Sequence, residues 1–153
     1  MQASEVMTTN VQLISPDDTI AHAAQMMQEL DAGILPVSEN DRLIGMISDR
    51  DIAIRAVGAN KSSNTPVRDV MSAEVMYCFE DDEVEVVSHN MADIKVRRLP
   101  VMTHQKRLVG IVSLGDLAVS DGPRNAGEAL CGISEPGGSH SQSRGSATEA
   151  PLL

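Results

Sequence analysis

Leu43-Ile44-Gly45-Met46-Ile47-Ser48-Asp49-Arg50-Asp51 and Leu108-Val109-Gly110-Ile111-Val112-Ser113-Leu114-Gly115-Asp116 spell one pattern twice. Each is an aliphatic run interrupted by a glycine, ending at a Ser that is followed three residues later by an Asp. Short aliphatic runs of this length read as buried strands. A Ser with an acidic residue three on is the signature of a capping box, which opens a helix. Both stretches therefore predict a strand running into a helix.

The repetition extends outward. Leu35-Pro36-Val37 returns as Leu99-Pro100-Val101, Val6-Met7-Thr8 as Val70-Met71-Ser72, and Asp17-Asp18-Thr19-Ile20 as Asp81-Asp82-Glu83-Val84, all 64 positions on. From Leu43 the offset becomes 65, so one residue has been added in a connecting turn, where a strand pair accepts it without losing register. Asp17 or Asp18 is placed to cap a helix with apolar residues at Ile20, Ala23, Ala24, Met27 and Leu30. Its copy carries Val84, Val87, Met91 and Ile94. Ile34–Ser38 with Arg42–Ser48, and Arg98–Met102 with Arg107–Ser113, predict two β-hairpins. A second helix, from Asp49 to about Val57 and from Leu114 onward, closes each unit. The expectation is an α+β (α/β-type) chain of two tandem β-α-β-β-α repeats, 1–58 and 67–121, joined by a polar linker at 59–66.

The segment 122–153 is rich in Gly, Ser and Pro and is expected to be largely disordered. Within it only 126–133, with Ala129, Leu130 and Ile133 on one side, offers the stripe of a brief docking helix. The competing expectation is an unstructured tail throughout.

Composition narrows the function. The 153 residues carry 12 basic and 22 acidic side chains, a formal charge of −10 that repels nucleic acid. One Tyr, one Phe and no Trp leave no aromatic platform for bases. No secretory leader and no membrane-spanning run are visible, so the chain reads as cytoplasmic, with no nucleic-acid and no membrane partner. Cys78 and Cys131 are expected as thiols, with no metal site at ligand spacing and no nucleophile, acid and base set for catalysis. The expectation is a non-enzyme with no catalytic cofactor. The methionines fall mostly on apolar stripes, as Met27, Met46 and Met91 do, where they fill a core.

Ser48 with Asp51, and Ser113 with Asp116, admit two readings. As caps they satisfy backbone N–H groups and need no ligand. Turned outward, a carboxylate accepts from two vicinal ribose hydroxyls, a nearby Arg or the helix start receives a phosphate, and aliphatic strand residues line a slot for a purine.

Taken together, the Gly-apolar-apolar-Ser-x-x-Asp signature, the Leu-Pro-Val strand and the leading Val-Met-Thr or Val-Met-Ser resemble the cystathionine β-synthase (CBS) domain, present as a tandem pair over about residues 5–120. The resemblance implies a pseudo-two-fold intramolecular dimer with adenine-nucleotide clefts between the repeats and, in many members, a homodimer. It implies that Asp51 and Asp116 hold ribose, that Ser48 and Ser113 support ribose or phosphate, and that a basic residue at Arg97 or Arg98 reaches the phosphates. The aligned Gly33-Ile34 carries no such charge. The better-equipped cleft is then that of Ser48 and Asp51 with Arg97 or Arg98, assisted by Arg50, which Gly115 replaces in the copy. The resulting expectation is a sensor of AMP, ADP, ATP or an adenosyl ligand that regulates an unknown partner. The alternative is a ligand-free scaffold for dimerisation or docking.

Overall fold

A computed structural model describes residues 1–136. Its elements run in chain order α1 (Ala3–Val6), α2 (Ile20–Leu30), β1 (Ile34–Glu39), β2 (Arg42–Ser48), α3 (Asp49–Asp51), β3 (Cys78–Phe79), α4 (Val84–Ile94), β4 (Arg98–Met102), β5 (Leu108–Ser113), α5 (Leu114–Ser120) and α6 (Pro123–Ser134). They form two compact units whose membership cuts across the sequence repeats. One is Asn10–Met76; the other joins Met1–Thr9 to the chain from Tyr77 onward. Each unit is thus completed by the Val-Met-Thr or Val-Met-Ser stretch that precedes the other repeat in sequence.

In the Asn10–Met76 unit, β1 and β2 pair antiparallel with Val37 opposite Gly45 and a bulge after Val37. Asn40 and Asp41 turn the hairpin at φ 53° and 62°, the left-handed values that a tight two-residue turn requires and that Asn and Asp tolerate. Ile14 bridges Val37 as an isolated parallel contact, so the leading strand expected here is reduced to one bridge. Thr19, not Asp17 or Asp18, caps α2: its Oγ1 accepts from His22 N at 3.1 Å. Asp18 instead accepts from Ser15 N. Ile20, Ala23 and Met27 are buried against Leu35, Val37 and Ile47, whereas Ala24 and Leu30 of the expected stripe are exposed. After α3 the helical path continues as a π turn, Ile52–Ala56, and a 3-10 turn, Val57–Ala59.

Val70-Met71-Ser72 closes this unit. Met46 and Ser72 exchange backbone hydrogen bonds at 3.0 and 2.9 Å, and Arg55 Nη1 donates to the carbonyls of Val70 and Met71. Gly45 explains itself here: a Cβ on it would lie 2.7 Å from Met71 Sδ and 2.8 Å from the Ser72 carbonyl oxygen. The strap lies on the strand only because that side chain is missing.

The second unit repeats the construction. Val101 faces Gly110 with the bulge again directly after it, and Thr103–Arg107 form the longer turn that contains the added residue. The leading strand β3 has two residues, parallel to Val101 and Met102 of β4. Here the strap is Val6-Met7-Thr8. Thr8 and Ile111 exchange bonds at 2.8 and 3.0 Å, and a Cβ on Gly110 would lie 2.6 Å from Met7 Sδ and 2.8 Å from the Thr8 carbonyl oxygen. Ala3 and Val6 of α1 join Val84, Val87 and Met91 of α4 and Leu99, Val112 and Leu117 in the core.

The helix α6 extends this unit beyond its sequence repeat. α6 begins with Pro123 at its first turn, three residues earlier than the sequence stripe indicated, and buries Ala126, Ala129 and Ile133. Leu130, expected on the buried side, is 46% exposed. Gly132 lets α6 approach α4: a Cβ there would lie 2.5 Å from Ala92 Cβ. The expectation of disorder beyond this helix falls on 137–153, outside the described residues.

Candidate functional site

Both Ser-x-x-Asp motifs form complete capping boxes, each inside its own unit. Ser48 Oγ accepts from Asp51 N at 3.0 Å, while Asp51 Oδ2 accepts from Ser48 N at 3.0 Å. Ser113 Oγ accepts from Asp116 N at 3.0 Å and Asp116 Oδ2 accepts from Ser113 N at 2.8 Å. The cap reading is therefore realised in the backbone of both units. It uses little of the chemistry available. Each carboxylate has about four lone-pair positions and spends one, and each Ser hydroxyl retains its proton as a donor. The second carboxylate oxygen of Asp51 and of Asp116 has no hydrogen bond among the described residues, and all four side chains are half-buried.

The start of β1 and of β4 lies beside these boxes through one shared bond. Asp49 N donates to the Gly33 carbonyl at 2.9 Å, and Leu114 N donates to the Arg97 carbonyl at 2.8 Å. Arg97 and Arg98 are exposed and make no ion pair among the described residues. Arg50 is likewise exposed, with no ion pair among the described residues. Sequence reasoning overlooked Asp49. Its carboxylate occupies the space beside Gly33, with Oδ2 3.0 Å from where a Cβ would stand, while Oδ1 accepts from Arg50 N at 2.8 Å. The signal was present in the paired alignments of Gly33 with Arg97 and of Asp49 with Leu114.

A second cluster escaped the sequence because its members are scattered. Phe79 takes Tyr77 edge-on at 5.6 Å and stacks on His104 at 4.2 Å, and His104 Nε2 lies 2.8 Å from Asp81 Oδ1. The hydrogen bond from His104 holds the Asp81 carboxyl below its ordinary range. Cys78, buried beside this cluster's strand, has its thiol pushed up to about 12 by desolvation, with the Asp82 charge adding to the effect. Among the described residues no group of three or more His, Cys, Asp or Glu side chains is placed to hold a metal ion. No described helix is long and apolar enough to cross a membrane.

The CBS domain family model matches residues 3–58 and again 67–120. The chain belongs to the CBS domain family. The CBS domain-containing protein YhcV of Bacillus subtilis is 44% identical over 131 residues, 85% of this chain and 93% of its own length. A conserved CBS domain protein of unknown function from Thermoplasma acidophilum, TA0289, shares the fold at a TM-score of 0.78 and 25% identity, over 86% of this chain and 75% of that one. The CBS domain pair of protein MJ0100, solved in complex with 5′-methylthioadenosine and S-adenosyl-L-methionine, matches at a TM-score of 0.72 over 80% of this chain and 96% of that one. At 24% identity its likeness is one of fold. In CBS terms, the two mixed helix-and-strand units are the two repeats with their straps exchanged.

Proposed function

We propose that this CBS pair is a non-enzymatic regulatory module that binds an adenine nucleotide or related adenosyl ligand. In each unit the Ser-x-x-Asp box, Ser48 with Asp51 or Ser113 with Asp116, would hold the ribose hydroxyls, and Arg97 or Arg98, in the unit of Ser113 and Asp116, would take the phosphate. The observation that carries the reading is that both capping carboxylates keep an oxygen with no hydrogen bond among the described residues, and that Arg97 and Arg98, at the strand end beside the Ser113–Asp116 box, make no ion pair among them. That the MJ0100 pair was solved with two adenosyl compounds supports the ligand class. Binding regulates only to the extent that affinity differs between two arrangements of the protein, which a partner then reads.

Thermal unfolding with AMP, ADP, ATP and S-adenosylmethionine added singly tests the proposal. A ligand at about 100 times its dissociation constant adds about 2.7 kcal/mol of stability. Absence of a shift with all four overturns it.

The complete capping boxes favour a second reading, a ligand-free CBS scaffold for dimerisation or docking. Under it Asp51→Ala and Asp116→Ala each cost about 0.5–2 kcal/mol of stability and change no binding. Under the first they also abolish the ligand-induced shift.

A further inference from the structure

The two CBS repeats present opposite charges at one structurally equivalent place. Asp49 N to the Gly33 carbonyl and Leu114 N to the Arg97 carbonyl are the same bond in the two units. It fixes which side chains sit side by side: Gly33 with Asp49 in one unit, Arg97 with Leu114 in the other. Where Arg97 projects a guanidinium, Gly33 projects nothing, and the Asp49 carboxylate stands 3.0 Å from the missing Cβ. Among the described residues the Asp49 carboxylate makes no ion pair, and its one hydrogen bond is accepted from the amide of Arg50. Counting the neighbouring charges, Asp49, Arg50 and Asp51 are two acids and one base, whereas Arg97, Arg98 and Asp116 are two bases and one acid.

A phosphate brought to Gly33 meets the Asp49 carboxylate at close range, and Arg50, the one base among Asp49, Arg50 and Asp51, is outnumbered there. At a few ångströms in a partly solvated setting, like-charge repulsion of this kind is worth about tenfold or more in affinity. A sulfonium or amine at the same place is attracted by a similar factor.

Resting on the nucleotide reading above, we propose that the two strand ends select different ligands. Arg97 and Arg98 take an adenine nucleotide by its phosphate, and Asp49 beside Gly33 rejects phosphate and accepts an adenosyl ligand whose 5′ substituent is neutral or cationic. Asp49 is the specificity-determining residue. The module therefore binds one of each per chain rather than two of the same.

Calorimetric titration of the full chain separates the possibilities. AMP is expected to fill one site, and S-adenosylmethionine is expected to bind at saturating AMP without displacing it. Asp49→Asn preserves size and the acceptor for Arg50 N, and Asp49→Leu copies the other repeat. In both, a second AMP site is expected to tighten by about tenfold while S-adenosylmethionine weakens. Arg97→Ala with Arg98→Ala is expected to remove the first AMP site alone. Two equal AMP sites in the unaltered protein, or a second AMP affinity indifferent to both Asp49 variants, overturns this assignment and leaves the nucleotide reading standing. No binding of either compound to any of these proteins overturns both.

Discussion

Replacing Gly110 by Ala adds one methyl group where the structure has no room for it. The new carbon would stand 2.6 Å from Met7 Sδ, 2.9 Å from Met7 Cγ and 2.8 Å from the Thr8 carbonyl oxygen. Met7 is flexible and can swing away. The Thr8 carbonyl cannot, because it accepts from Ile111 N at 3.0 Å while Thr8 N donates to Ile111 O at 2.8 Å. Relief requires the strap to lift, with overpacking of about 1–3 kcal/mol and up to two weakened ladder bonds of about 0.5–1.5 kcal/mol each. Alanine restricts the unfolded chain and returns about 0.5–1 kcal/mol, leaving a net loss of about 2–4 kcal/mol. Gly110 is not at positive φ, so no backbone strain contributes. Gly127, in the exposed middle of α6 with nothing within 4 Å of its absent Cβ, is the internal control. Its replacement by Ala should be neutral or stabilising by up to about 1 kcal/mol. Urea unfolding of both variants gives the comparison through the midpoints at unchanged m. Adding Met7→Ala to Gly110→Ala should not restore stability, because the carbonyl contact persists. A Gly110→Ala protein within about 0.5 kcal/mol of the parent would refute the account of the glycine, since a change of that size is ordinary for surface positions.

Gly132→Ala should detach α6 from α4, costing about 1–3 kcal/mol despite the better helix propensity of Ala, because the added carbon meets Ala92 Cβ at 2.5 Å; urea unfolding again measures it. An aromatic disulfide reagent at pH 8 should label exposed Cys131 promptly and buried Cys78 only on unfolding, since the Cys78 thiol is pushed up to about 12 and carries almost no thiolate there. The Asp81 carboxyl, lowered by its hydrogen bond from His104, should titrate below its ordinary range in a carbon-detected NMR titration and return to it in His104→Ala. Because the folded value is the lower one, the contribution of this pair is present above the unfolded carboxylate pKa and is lost as pH falls through the depressed value.

Much of this architecture was readable from the repeat. The hairpins around Gly45 and Gly110, the buried positions Ile20, Ala23 and Met27 of α2 and Val84, Val87 and Met91 of α4, and the extra residue between Met102 and Leu108 all follow from local periodicity and turn chemistry. Partner choice was not readable. Val6-Met7-Thr8 and Val70-Met71-Ser72 are alike enough that sequence alone assigns each to its own repeat, and only tertiary pairing sends each to the other. The length of α6 was underestimated because its Gly and Pro residues were counted as tail composition, although Pro123 opens the helix and Gly132 lets it meet Ala92. Of the candidate site, the capping boxes of Ser48 with Asp51 and Ser113 with Asp116 were legible in their spacing. Asp49 was not, because its meaning depends on the emptiness beside Gly33.

The exchange of straps has a consequence for biosynthesis. Residues 10–76 are contiguous, so every contact of that unit is available once its last residue has left the ribosome. Met7 and Thr8 must instead wait, already translated, for Gly110 and Ile111. At about 5–20 residues per second this interval lasts several seconds. During that time the Val6-Met7-Thr8 strap is without its docking groove, and the nascent chain is open to chaperone capture or to pairing with another polypeptide emerging nearby.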